Sequence, residues 1–300
     1  MKTTAFRPHA SALLLVLWAL LLLSATVFAW VQWMQESIAA HSAENREMEA
    51  RAMAHSGLAV GLHPLASAKT PLPGGRIAPG QDFRVEITGE GGRLNLNWLL
   101  RGEEPGKLTI LRQWLERRGL DYEQRDQFID GLLDYADADH VRRLNGHEED
   151  GEYHPANREL RSVEELARVR GAAPLTAQRG WQDHLTVHSL GPIDLNSAPI
   201  EVLQLLPGLG ETRLRHFVEY RRGPDHLDGT PDDNSFPDLS AIQQFLKLTA
   251  GQFQELRPLI SYQDPTMHIR SAGRSGNVTR LVEVIARKGA DKLQIFSWKE

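Results

Sequence analysis

The 300-residue chain contains no cysteine, which excludes disulfides, thiolate nucleophiles, zinc knuckles and iron–sulfur clusters. Neither sign of charge dominates, because 34 Lys and Arg stand against 39 Asp and Glu, for a net charge of −5. This balance argues against a dedicated nucleic-acid-binding protein. The length allows two domains of ordinary size, and the 41% of hydrophobic residues is enough to build a core.

Common catalytic motifs are also missing. The chain has no Gly-x-Ser-x-Gly, no His-Glu-x-x-His and no phosphate-binding loop, so it lacks the usual signals of hydrolases and nucleotide-binding enzymes. Its twelve histidines are scattered. His140, His147 and His154 recur every seven residues, but in a polar segment rich in glycine and acids. We therefore predict a protein that is not an enzyme.

Charge is absent from Ser11 to Val31. Twenty-one residues in an α-helix span about 30 Å, the thickness of a bilayer core. Lys2 and Arg7 precede this run, and the first acid, Glu36, follows it. The positive-inside rule therefore predicts a single membrane span with a cytoplasmic N-terminus and the bulk of the chain on the other side.

Glycine and proline are absent between residues 9 and 56, so the helix has no breaker where the apolar run ends. We predict a leader at 1–10 and one helix over 11–62, of which 11–31 crosses the membrane. The alternative is a cleaved secretory signal ending at Val27-Phe28-Ala29. We favour the retained helix, because the apolar run exceeds the roughly 7–15 residues typical of a signal core.

The remaining sequence alternates between strand and helix patterns. Residues 63–80 read as a connector, and residues 82–88 alternate as a half-buried strand does. Helical spacing of apolar residues recurs at Leu108–Arg118, Asp126–Tyr135, Ser162–Val169, Pro199–Leu205, Thr212–Arg221 and Leu239–Phe245. Ser162 and Glu165 have the spacing of a capping box. Strand patterns return at 267–271, 278–288 and 293–298. This order predicts an α+β domain (63–97 and 265–300) with a helical insertion at 98–264.

The insertion carries signs of an internal duplication. Asn95-Leu96-Asn97 precedes helices and an acidic run at 134–139, and Asp194-Leu195-Asn196 precedes helices and an acidic run at 225–233. Two related small helical units would explain this order.

The second acidic run is the stronger candidate metal site. Its oxygen ligands would be Asp225, Asp228, Asp232, Asp233 and Asn234. Crowded carboxylates repel one another unless a cation neutralises them, and calcium suits flexible all-oxygen loops. The alternative is a solvated acidic turn. The first run is a weaker candidate, with the potential ligands Asp134, Asp137, Asp139 and Glu148.

Residues 194–213 resemble a helix–hairpin–helix. Pro207, Gly208 and Gly210 permit a tight hairpin that presents backbone N–H groups, and such a hairpin can hold a DNA phosphate. A phosphate-binding surface is normally basic, but 194–222 contains four acids and four arginines. We therefore favour a packing role, with a membrane-anchored DNA-binding protein as the alternative.

Strings along most of the chain resemble one family, the type II secretion minor pseudopilin K family (general secretion pathway protein K). In order they are ALLLVLWAL (12–20), GRLNLN (92–97), LLDYADAD (132–139) with Arg142, Asn157–Leu166 before Gly171, DLNSA (194–198), GTPDD (229–233) and SWKE (297–300).

The resemblance implies a pilin-like α+β domain on a long transmembrane helix, with a small antiparallel sheet and an inserted all-α domain of two sterile-alpha-motif-like parts. It also implies bound calcium and a place at the tip of a periplasmic pseudopilus anchored in the bacterial inner membrane. Minor pseudopilins I and J would be direct partners, beside H and the major pseudopilin. No nucleic acid and no small-molecule substrate would be expected.

The resemblance further implies cleavage by prepilin peptidase just before the apolar run. A glycine is usual at that position in the family, and this chain has Ala10 instead, followed by Ser11. Processing there would leave Ser11 as a methylated mature N-terminus. As in the family, the acid found near the mature N-terminus of other pilins is missing.

Overall fold

The structure, a computed structural model, describes residues 9–63, Ala66, 74–230, 232–289 and 292–300. The predicted leader therefore lies outside the described residues, except for its last two positions. The first element is α1, His9–Gly61, a single helix of 53 residues. It is built largely from strong helix formers. Side chains from Ala12 to Glu36 are exposed, and among the described helices α1 is long and apolar enough to cross a membrane.

The other elements follow in chain order. After α1 come β1 (Gly75–Ala78) and β2 (Gln81–Gly89). The next elements are β3 (Leu94–Asn95), α2 (Leu96–Leu100), α3 (Pro105–Arg117), α4 (Tyr122–Ala136), α5 (Ala173–Thr176), β4 (Leu185–Thr186), β5 (Ile193–Asp194), α6 (Ile200–Leu203), α7 (Glu211–Arg221), α8 (Leu239–Phe245), α9 (Ala250–Leu256) and β6 (Ile260–Ser261). Short 3₁₀ helices lie at Glu90–Gly92, Arg101–Glu103 and Val163–Arg168. The last three strands are β7 (Thr266–Ser275), β8 (Val278–Lys288) and β9 (Leu293–Lys299).

Five of the strands form an antiparallel sheet in the order β1-β2-β7-β8-β9. Along β2, Phe83, Val85 and Ile87 are buried and alternate with exposed residues, so one face of the sheet packs on the second half of α1. The two elements approach closely at Gly273, where a Cβ would lie 2.1 Å from the Ala54 nitrogen. The predicted α+β fold with its long helix is thereby confirmed.

The insertion has a core of its own, formed by buried side chains from Leu94 to Ile260. The chain leaves the sheet after Gly89 and returns at Thr266, so the structure places the start of the insertion near residue 90 rather than at the predicted 98. The chain turns away from the sheet at Gly91 and Gly92, before the predicted boundary, and Leu94 packs in the core of the insertion. The described part of the insertion contains helices α2 to α9, two parallel two-residue strand pairs, β3–β4 and β5–β6, and long irregular segments between them.

The insertion lies at the end of the sheet farthest from the apolar half of α1. Arg46 of α1 donates to Asn277 in the β7–β8 turn at 3.5 Å. Fifteen residues later, a Cβ at Gly61 would lie 2.7 Å from Ile269. α1 therefore runs along β7 from the turn towards Thr266, at the end of the sheet where the insertion is joined.

Two local expectations are wrong. Ser162 makes no capping hydrogen bond with its side chain. The Glu165 carboxylate, which would complete the capping box, accepts from the Arg161 nitrogen and from Arg158 instead. Part of the predicted connector is strand β1, which is only four residues long and pairs with β2 through a tight turn.

Candidate functional site

Two similar units make up the insertion. A parallel strand pair closes each one, joining 94–95 to 185–186 in the first unit and 193–194 to 260–261 in the second. A short parallel pair at the base of each helical unit agrees with the predicted duplication.

An asparagine clamps each unit in the same way. Asn97 donates to the Leu160 carbonyl and accepts from the Leu160 nitrogen, both at 2.9 Å. Asn196 makes the same two bonds with Phe236, also at 2.9 Å. Each clamp encloses one acidic segment, which we name the first acidic loop (137–150) and the second acidic loop (223–235). The two candidate metal sites therefore occupy equivalent places.

The first acidic loop brings three carboxylates together. Asp137 is the C-cap of α4, and its backbone N–H donates a hydrogen bond to the Leu133 carbonyl at 2.9 Å. Oxygen atoms of Asp137, Asp139 and Glu148 lie within 4.8 Å of one another. Of the four residues predicted there, the structure thus groups three as potential ligands.

The fourth residue, Asp134, is fully buried and bound by Arg143. The Arg143 Nη1 donates to Asp134 at 2.7 Å and to Asp137 Oδ2 at 2.6 Å, and its Nη2 donates to Glu103 at 2.6 Å. Sequence reasoning missed this arginine. The available signal was a basic pair, Arg142-Arg143, inside an acidic run.

Several oxygens of the first acidic loop remain without partners. Within the described part of the chain, Asp137 Oδ1 and both carboxylate oxygens of Glu148 are buried and accept no hydrogen bond. Burial raises the pKa of Asp137 against the pull of Arg143. Burial and the neighbouring Asp134 and Asp137 raise the pKa of Glu148. Unpaired buried carboxylates are costly, and a hard cation with oxygen ligands would relieve that cost.

In the second acidic loop, two neighbouring arginines neutralise one of the aspartates. The Arg221 Nη2 donates to Asp228 at 3.1 Å, and Arg222 lies 2.8 Å from the other oxygen of Asp228. Burial raises the pKa of Asp228, but the two guanidinium groups outweigh that effect and hold the pKa below its usual value. Asp228 is therefore already engaged by two cations.

The other predicted ligands of this loop also have hydrogen-bond partners within the protein. Asp232 accepts from the Asp225 nitrogen at 3.1 Å and from the Thr230 hydroxyl at 2.7 Å. Asp233 accepts from the Gly229 nitrogen at 2.7 Å, and Asn234 donates to the Tyr220 carbonyl at 2.8 Å. Together with Asp225, these residues remain predicted ligands.

The predicted hairpin joins α6 to α7. Gly208 has φ +74° and Gly210 is the N-cap of α7, while Pro207 lies in the turn between the helices. The first turn of α7 carries an acid, Glu211, which pairs with Arg215 at 2.8 Å. An acid at this N-terminus opposes phosphate binding, so the geometry favours packing of two short helices.

The predicted processing residues Ala10 and Ser11 lie in the first turn of α1. The helix also continues without interruption through Ala29-Trp30, where the alternative secretory cleavage would fall.

The fold defines the class of protein. A long apolar N-terminal helix that packs on a small antiparallel sheet, with an insertion between strands, is pilin-like. In comparison with solved structures, the chain is similar to a chain in the crystal structure of the GspK-GspI-GspJ complex from the type 2 secretion system of enterotoxigenic Escherichia coli. The match has a TM-score of 0.59 and 16% identity, and it covers 89% of this chain and 98% of that one.

Residues 92–180 match the family model of type II secretion system protein K. This match covers the first unit of the insertion and its acidic loop, and it confirms the predicted resemblance. No curated protein matches the chain.

Proposed function

We propose that the chain is a minor pseudopilin that caps the tip of a type II secretion pseudopilus and supports its assembly for protein export. The observation that carries this proposal is the placement of a large insertion on the end of a pilin-like sheet farthest from the apolar half of α1. The proposed role is non-enzymatic.

The geometry supports assembly through α1. The exposed apolar half of this helix would sit in the inner membrane and then pack among other pilin helices, so that lipid contacts are exchanged for helix contacts. The charge flanking the apolar run supports an N-terminus in the cytoplasm, with the sheet and the insertion in the periplasm.

The insertion supports the capping role. A filament grows only while its heterologous contacts repeat, so a subunit that lacks one contact surface ends it. The insertion occupies the distal end of the sheet, where the next subunit would add. Minor pseudopilins I and J are the proposed neighbours below it, with H and the major pseudopilin further along.

Affinity purification tests this assembly. The tagged full chain is co-expressed with pseudopilins I and J and purified in mild detergent. We expect both partners to co-purify with the wild type and with a Leu227→Ser control, which changes an exposed side chain of the insertion (61% exposed). Failure to retain I or J would reject the proposed role.

We further propose a calcium ion in the first acidic loop, held by Asp137, Asp139 and Glu148. The unpartnered buried oxygens support this choice. Bound calcium would supply positive charge beside the unpartnered oxygens of Asp137 and Glu148. A second ion in the second acidic loop would use Asp225, Asp232, Asp233 and Asn234, because Asp228 is paired with two arginines. Calcium there would fasten the loop to its unit rather than perform chemistry.

We also propose prepilin-type processing between Ala10 and Ser11. N-terminal sequencing of the membrane-bound protein tests this. A mature form beginning at Ser11 supports the proposal, whereas one beginning at Trp30 would identify a cleaved secretory signal.

A further inference from the structure

A buried carboxyl and a buried imidazole face each other where the insertion joins the sheet. Glu90 lies in the 3₁₀ helix that begins the insertion and is 1% exposed. His268 lies on β7. Glu90 Oε2 and His268 Nδ1 are 3.6 Å apart, and both line a cavity of about 390 Å³.

Both facing atoms are unsatisfied. In the described ranges, neither Glu90 Oε2 nor His268 Nδ1 has a hydrogen-bond partner, although both are buried. The other carboxyl oxygen, Oε1, accepts from the Thr186 hydroxyl at 2.5 Å. One hydrogen placed between Oε2 and Nδ1 would satisfy both atoms, and a neutral Glu90 carboxyl would donate it to the ring.

Most of the charged groups around this pair bind other partners. Arg270 pairs with Glu283 at 2.7 Å, and Lys299 pairs with Glu164. The carboxylate of Asp264 accepts from the Leu190 and Thr266 nitrogens. Asp183 and Arg93 also line the cavity.

Arg93 is the nearest cation, with its Nε 3.6 Å from Glu90 Oε2. Burial raises the pKa of Glu90, in spite of Arg93. Burial, together with Arg93, lowers the pKa of His268 to about 4. Both shifts favour a neutral acid beside a neutral ring.

We propose that Glu90 and His268 share a single proton and that this proton latches the insertion to the sheet. Thr186 belongs to β4, Glu90 to the first turn of the insertion and His268 to the sheet. A shared proton that draws Oε2 and Nδ1 together from 3.6 Å would extend the Thr186–Glu90 hydrogen bond into one chain across the joint. This latch would fix the direction in which the insertion leaves the sheet.

The sign of the pH dependence follows from proton counts. A carboxyl whose folded pKa is raised binds a proton on folding, so its contribution to stability is present at low pH and falls as pH rises. A Gln at position 90 keeps one donor and one acceptor without needing a proton. The wild type should therefore lose stability relative to Glu90→Gln as pH rises from 5 towards the folded pKa of Glu90.

Thermal or urea unfolding of the full chain in detergent tests this between pH 5 and pH 8. We expect the ratio of the unfolding constants of wild type and Glu90→Gln to rise by up to about tenfold per pH unit. Glu86→Gln, which changes an exposed carboxylate on the same sheet, should give no such trend. A constant ratio, or one that falls as pH rises, would mean that Glu90 acts as a carboxylate and would overturn the proposal.

A second readout does not depend on that variant folding. In the full chain with labelled histidines, the His268 ring should stay neutral down to about pH 4, with Nδ1 accepting a hydrogen bond. His268→Gln identifies the resonance. A His268 pKa above 6.5 would instead indicate an ion pair with Glu90 and would contradict the shared proton.

Discussion

The two acidic loops occupy equivalent places in the two units of the insertion, but their charges are arranged in opposite ways. In the first loop, Asp137, Asp139 and Glu148 face one another and leave buried oxygens without partners in the described chain. In the second loop, two arginines bind Asp228, and backbone N–H groups bind Asp232 and Asp233.

The difference shows that the acids of a loop do not all need a counter-ion equally, because the protein's own donors already engage some of them. The second loop has four aspartates within nine residues, yet its fold already supplies much of the counter-charge. The first loop has five acids within fourteen residues, and it leaves buried oxygens of Asp137 and Glu148 without partners in the described chain. We therefore expect calcium affinity to depend on the negative charge that remains after the protein's own donors are counted.

The largest effect that separates the loops should come from their arginines. Arg143→Met leaves the fully buried Asp134 without its cation, and breaking a buried pair in this way costs about 3–5 kcal/mol. Arg222→Met removes a cation from Asp228, which is 47% exposed. Because water can solvate this carboxylate, we expect the free energy of unfolding to fall by only about 0–1 kcal/mol. Urea unfolding of the calcium-free full chain compares the two, and equal losses would contradict the described difference.

Calcium should stabilise the protein mainly through the first loop. Free calcium at about 100 times its dissociation constant adds about 2.7 kcal/mol per site. We expect Glu148→Gln to abolish most of the rise in melting temperature that calcium produces, whereas Asp228→Asn retains it. The measurement is a melting curve with calcium and with a chelator. The reverse pattern would move the principal site to the second loop.

The two asparagine clamps should be of similar strength. Asn97→Ala and Asn196→Ala each remove part-buried side-chain bonds to a distant backbone segment, at a cost of about 1–3 kcal/mol. Asn277→Ala, which removes one long bond at an exposed turn, is the matched control and should change the unfolding free energy by less than about 0.5 kcal/mol. A cost for only one clamp would argue that the two units are not equivalent.

The smallest effect is the pH dependence of calcium binding. Raised pKa values mean that Asp137 and Glu148 take up protons at a higher pH than ordinary carboxyls, and those protons compete with calcium. In the calcium-free fold, these carboxyls contribute stability at low pH and lose that contribution as pH rises. The calcium-dependent rise in melting temperature should therefore shrink as pH falls from 7 to 5. In the second loop, the pKa values of Asp228 and Asp232 are lowered. If calcium bound mainly there, the calcium-dependent rise in melting temperature would stay the same from pH 7 to pH 5.

Much of the fold could be predicted because it depends on local patterns. The uncharged run and the lack of breakers predicted α1, and two-residue alternation predicted β2, whose buried positions follow that period. The duplication was also visible, since Asn97 and Asn196 are the residues that clamp their units.

The site was harder to predict because the geometry of irregular segments, which sequence spacing does not reveal, decides which charged groups meet. Arg221 and Arg222 precede Asp228 by seven and six residues, and Arg143 follows Asp134 by nine. This spacing alone does not show that the three side chains turn towards those carboxylates. Glu165 failed as a capping residue for the same reason, since Arg158 and the Arg161 nitrogen occupy its carboxylate. Acidic content was therefore a poor guide to which loop retains unpaired oxygens.

The central claim is that this chain ends a filament rather than repeating within it. Native mass spectrometry of assemblies purified with pseudopilins I and J and the major pseudopilin measures its copy number directly. We predict a single copy of the chain in each assembly, bound to one copy each of I and J. Assemblies containing several copies of the chain, or assemblies of the other pseudopilins that never include it, would contradict the account.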